Sequence, residues 1–177
     1  MPKLSEAETR RFLEEPGLLM DIATLDSDGW PAVCPIWYLF EEGTIWFTPR
    51  KHSEWLANIR RDSRVALCID EMALPYRKVI LQGHARVVHE IGQDDLWRDR
   101  YRQIAKRYLT VEAADQYVDI TDDQPRALCA VALTDAEVKT WRMPASDEKY
   151  QGVWAKRYWT KTAKAARDAP DNIAPSQ

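Results

Sequence analysis

The chain has 177 residues, 45% of them hydrophobic and 30% charged, with a formal net charge of −3. That length suits a single domain able to bury roughly two thirds of its unfolded surface without disulfide staples. The slightly acidic balance gives no global attraction to nucleic acid.

In chain order, residues 5–15 begin with Ser5 and carry Glu8 three positions on, the signature of a capped amphipathic helix that Pro16-Gly17 ends. A strand over 18–25, LLMDIATL, meets the turn Asp26-Ser27-Asp28-Gly29, and a second strand over 31–40 returns from it. Pro35 inside that second strand cannot donate to a ladder, which puts the stretch at an edge or a bulge. Glu41-Glu42-Gly43 closes onto a third strand over 44–48. The polar corner Thr48-Pro49-Arg50-Lys51-His52-Ser53 then feeds a helix over 53–61. Cations, hydroxyls and free helical N–H groups collect there, which is how proteins hold a phosphate. Two plainer readings stand beside that one: Ser53 as an ordinary N-cap, and Arg50 and Lys51 as solvated loop charges.

The helix places Trp55, Leu56 and Ile59 at helical spacing, with Trp55 a possible core anchor. A fourth strand over 64–69 and a fifth over 79–88, VILQGHARVV, follow; Gly83 inside the fifth implies a bulge or a close approach. These five strands with one crossover helix describe a small antiparallel barrel. Beyond it, 94–109 reads as one amphipathic helix with Trp97, Tyr101, Ile104, Ala105 and Tyr108 on one face. Its arginines are interleaved with Asp94, Asp95 and Asp99 and read as a solvated face. Residues 112–117 form a further helical turn or two, 127–133 and 137–142 are a sixth and seventh strand, and 149–166 is a helix candidate. The domain is expected to span 1–167, with a disordered tail over 168–177.

Cys34, Cys68 and Cys129, odd in number and each in an apolar run, read as reduced core residues. His52, His84 and His89 make no metal signature with them, so no metal is expected. No signal peptide or apolar run near ~20 residues is recognisable, which predicts a soluble cytoplasmic protein without a membrane segment. Eight tryptophans, several in polar settings, are compatible with a ligand or subunit surface.

The stretch ATLDSDGWPAVCPIWYLFEEGTIWF, then S-x-x-x-x-N-I before RRDSRVAL, then VILQGHARVV, resembles the pyridoxamine 5′-phosphate oxidase-like split-barrel flavoproteins over about 18–88. The resemblance implies a mainly β (α+β) fold, an antiparallel split barrel of about six to seven strands with flanking helices. It implies FMN or, in one branch, the deazaflavin coenzyme F-420 as cofactor, hydride transfer to a small molecule, and a homodimer with the cofactor at the interface. Carried over, the candidate phosphate contacts are Arg50, Lys51, Ser53 and His52, Thr48 sits beside the phosphate or ribityl chain, the ring contacts are Pro35, Ile36 and Trp37, and Asn58 lies near the cofactor tail. Relatives usually place Lys where this chain has Trp55, and a neutral indole cannot replace that cation. The second subunit could contribute groups from the Trp97 to Tyr108 helix or from Trp141, Trp154 and Arg157. Two other readings are a non-catalytic flavin- or haem-binding barrel and a nucleic-acid-binding barrel, the latter opposed by the acidic balance.

Overall fold

The computed structural model describes residues 2–73 and 76–144. Nine strands form two antiparallel sheets. The five-stranded sheet has the order β2-β1-β5-β6-β9 and the four-stranded sheet β3-β4-β8-β7. The strands are β1 (Met20–Leu25), β2 (Pro31–Ile36), β3 (Leu39–Glu41), β4 (Thr44–Phe47), β5 (Arg64–Asp70), β6 (Arg77–His84), β7 (Arg86–His89), β8 (Leu128–Ala132) and β9 (Glu137–Arg142). The helices are α1 (Glu6–Glu14), α2 (Glu54–Arg61), α3 (Arg98–Lys106) and α4 (Val111–Ile120).

The two strands beyond the expected seven come from splitting, not from new segments. The 31–40 stretch breaks at Trp37-Tyr38 into β2 and β3, and the 79–88 stretch breaks at Ala85 into β6 and β7, each crossing from one sheet to the other. One continuous apolar run thus serves both sheets and closes the barrel at its corners. Pro35 lies on β2, the edge of the five-stranded sheet, where its missing N–H removes no ladder bond. At Gly83 a Cβ would lie 3.1 Å from the Ala136 Cβ, so the close approach is real; the register irregularity sits further on, between Val87 and His89. Glu42 and Gly43 both take positive φ, 51° and 75°, as a two-residue hairpin turn that follows the strand twist requires.

Alternation sends Met20, Ile22, Ile45, Phe47, Leu67, Ile69, Val79 and Leu81 into the barrel core, all fully buried. Ser5 and Glu8 close a capping box on α1, as the spacing predicts. Arg107 donates to the Leu13, Glu14 and Glu15 carbonyls at the other end of that helix, tying it to the chain beyond α3.

The single helix expected over 94–109 is instead a short 3-10 turn (Asp94–Leu96) followed by α3, because Trp97 leaves helical geometry at φ −137° to bury its indole. With Tyr101, Ala105, Ala114, Val118 and Leu128, Trp97 forms a second, smaller core beneath α3 and α4. The helix expected over 149–166 and the tail over 168–177 lie outside the described residues. Among the described residues no helix is long and apolar enough to cross a membrane.

Candidate functional site

Three local features converge on one open cleft of about 310 Å³. β2 supplies Cys34, Pro35 and Ile36, with Trp37 at its end; the corner after β4 supplies Thr48, Arg50, Ser53 and Trp55; and Tyr101, Tyr117 and Arg126 close the third side. The volume sits at the lower end of small-molecule sites, roughly 300–1,000 Å³.

The corner is held by pairing. Arg50 and Arg126 face each other across an isolated antiparallel bridge, with the Lys51 N–H donating to the Pro125 carbonyl at 2.9 Å and the Ala127 N–H to the Pro49 carbonyl at 3.0 Å. Two guanidinium-bearing residues are thereby set side by side. Both reach the Tyr117 hydroxyl, from Arg50 at 3.4 Å and from Arg126 at 3.5 Å. Arg126 also donates to the Thr48 carbonyl at 3.1 Å and lies over the Tyr101 ring, 4.6 Å from its centroid. Burial, reinforced by the Arg50 charge, pushes the Arg126 guanidinium below its ordinary pKa. Burial raises the Tyr117 phenol, but the neighbouring Tyr101 phenol and the Arg126 and Arg50 charges outweigh it, and the net shift is downward.

Ser53 stands at the N-cap position of α2 without capping it. Its hydroxyl donates to the Arg50 carbonyl at 2.7 Å, which pins the loop and leaves the first N–H groups of α2 without a side-chain acceptor. The N-cap reading of Ser53 is therefore not the one realised. Trp55 does two things: it lines the cleft, and its ring lies 6.0 Å from that of Phe47 against the barrel core. Trp37 stacks on Tyr108, centroids 4.9 Å apart at 6°, so its ring is held flat beside the cleft before any ligand arrives.

Of the residues expected at the site, Pro35, Ile36, Trp37, Thr48, Arg50, Ser53 and Trp55 line this cleft. Lys51 and His52 are exposed on the adjoining turn and lie outside the lining. Asn58 is buried on the inner face of α2, where its amide donates to the Thr24 hydroxyl at 3.0 Å; it ties α2 to β1 and is not part of the cleft wall. Tyr101, from the helix expected to serve a partner subunit, faces the cleft of its own chain. Cys34, Tyr101, Tyr117 and Arg126 were not among the expected site residues. Arg126 precedes an apolar strand and gives no local signal; only its long-range bridge to Arg50 discloses it.

Other clefts carry satisfied charges. In the one beside β6 and β9, about 440 Å³, Arg77 is clamped between Glu15 and Glu71 at 2.8 and 2.6 Å. The arginines of α3 are likewise paired, Arg98 with Asp95 and Asp122, Arg100 with Glu41, and Arg102 with Asp99 and Asp119. By contrast, neither the Arg50 nor the Arg126 guanidinium meets a carboxylate among the described residues; the Asp94 carboxylate accepts from the Arg126 backbone N–H at 2.7 Å.

The described residues thus form a split barrel of two antiparallel sheets with a cationic corner beside an edge strand. The profile described as pyridoxamine 5′-phosphate oxidase matches residues 5–142, and the chain belongs to that family. A search of curated proteins finds no match. Among solved structures, the conserved hypothetical protein Rv2991 from Mycobacterium tuberculosis is similar at 22% identity and TM-score 0.65, covering 85% of this chain and 95% of that one. A FAD-binding protein from Mesorhizobium loti aligns at 15% identity and TM-score 0.58, covering 81% of this chain and 98% of that one. An F420 reductase aligns at 22% identity and TM-score 0.53, covering 77% of this chain and 98% of that one. At these identities the likeness is one of fold.

Proposed function

We propose that the protein is a flavin-type oxidoreductase that holds FMN, or alternatively coenzyme F-420, in this cleft and exchanges a hydride with a small molecule. The observation that carries the reading is the cleft's lining, which joins an aromatic and aliphatic stretch, Cys34 to Trp37, with two guanidinium-bearing residues, Arg50 and Arg126. A tricyclic ring with a phosphate on a flexible chain calls for the same two kinds of group. Family membership and similarity to a FAD-binding protein and an F420 reductase support the reading.

When bound, the flavin supplies the hydride chemistry. The chain supplies the rest. β2, an edge strand, leaves its outer backbone groups available to polarise a ring. Trp37, already stacked on Tyr108, limits how far a ring can slide. Arg50 and the uncapped start of α2 neutralise an anionic tail.

The proposed assembly is a homodimer. The outer face of the five-stranded sheet carries Ala23, Val33, Pro35, Ala66, Cys68 and Ile80, none buried, and Val33 is 65% exposed. β2 borders both this face and the cleft, so a second copy seated on the face would also narrow the cleft.

The absorption spectrum tests the reading. Purified protein incubated with FMN and freed of excess is expected to keep a flavin band that bleaches on anaerobic reduction. Retention of F-420 but not FMN selects the alternative cofactor. A colourless protein after both incubations contradicts the proposal.

A further inference from the structure

We infer that Arg126 is the buried charge anchor of this cleft and makes ligand binding conditional on a phosphate or comparable oxyanion. The inference rests on the flavin-type reading of the cleft for the identity of the ligand, and on the geometry alone for the anion.

Arg126 is 8% exposed, and a guanidinium withdrawn that far from water is costly unless it is paired. What it meets instead is the Thr48 carbonyl, a long contact to the Thr48 hydroxyl at 3.5 Å, a long contact to the Tyr117 hydroxyl, the Tyr101 ring face and, across the bridge, Arg50. Its Nε has no acceptor. The buried Tyr101 hydroxyl beside it has only the Tyr117 and Thr121 side chains near it and no well-formed hydrogen bond.

Like charges directly opposite one another across an antiparallel pair are destabilising. Here the Tyr117 oxygen is the group both guanidiniums approach, and it is neutral and too distant from each for a strong bond. An oxyanion in the cleft could take charged hydrogen bonds from both and relieve the like-charge contact, which a neutral ligand cannot do. Tyr117, stacked obliquely against Trp37 with centroids 5.4 Å apart, links this anion end to the ring end of the cleft. Arg126 therefore takes up the task of a fixed cation that Trp55 cannot perform.

The test compares FMN with riboflavin, which has the same ring and no phosphate, on wild-type protein, Arg126→Met and Arg126→Lys. Wild type is expected to favour FMN strongly. Arg126→Met should lose FMN affinity by about ten- to a hundred-fold, the range of a charged hydrogen bond, with riboflavin affinity unchanged. Arg126→Lys should fall between them, and serves as the readout if the Met variant fails to fold. Equal losses for both ligands, or no loss for either, would overturn the inference. If wild type takes up neither flavin, the FMN form of the proposed function fails and inorganic phosphate and pyrophosphate decide the anchor. Either anion raising the melting temperature of wild type but not of the Arg126 variant upholds it, and no rise in wild type refutes it.

Discussion

Arg50 and Lys51 are neighbours in sequence with different places at the site. Both side chains are exposed, but Arg50 lines the cleft and reaches Tyr117, whereas Lys51 lies outside the lining. Arg50→Ala is expected to weaken FMN binding by about 1.5–3 kcal/mol if it contacts the phosphate, and Lys51→Ala by less than about 1 kcal/mol because a charge outside the cleft is screened by water. Equal effects in a titration would place the phosphate on the outer turn. The cysteines give a second reading of the same wall. Cys34 is partly exposed and lines the cleft, Cys68 is partly exposed away from it, and Cys129 is fully buried. Burial pushes the Cys129 thiol up to about 12, and the thiolate is the reactive form, so Cys129 should resist alkylation until the pH approaches that value. FMN should protect Cys34 from alkylation and leave Cys68 unprotected, as peptide mapping of labelled protein would show. Protection of neither would move the flavin away from β2.

At the scale of elements, strands that change sheets explain what the sequence disclosed and what it hid. Apolar alternation over 31–40 and 79–88 marks strand without revealing that each run bends between sheets, because period and composition persist through the break at Trp37-Tyr38 and at Ala85. Gly83 was legible as a bulge or a close approach, and the structure realises the second. Gly83→Val should cost about 1–3 kcal/mol in urea denaturation by pressing on Ala136 and the Asp135 carbonyl, and an unchanged midpoint would show that the 133–136 turn yields freely. The corner and the edge strand were legible because their residues are contiguous in sequence. Arg126, Tyr101 and Tyr117 were not: the two tyrosines belong to the second core, and Arg126 is set at the cleft by its bridge to the distant Arg50. Asn58 entered as a contact near the cofactor tail through the family resemblance alone, and in this chain its amide donates to the buried Thr24 hydroxyl.

For the whole molecule, an edge strand, a cationic corner and an open sheet face form one proposed functional unit that is completed by a second copy. Sedimentation at micromolar concentration is expected to give a dimer, and Val33→Asp, exposed on the edge strand of the face, is expected to shift it toward monomer with the fold retained. A wild-type monomer would leave the face without its proposed partner. The orientation of the ligand in the cleft is read most directly from a crystal structure of the protein with FMN. The ring is expected along Pro35 to Trp37 and the phosphate within hydrogen-bond distance of Arg50 and Arg126. A flavin seated instead in the cleft beside β6 and β9, or one with its phosphate turned away from both arginines, would contradict that placement.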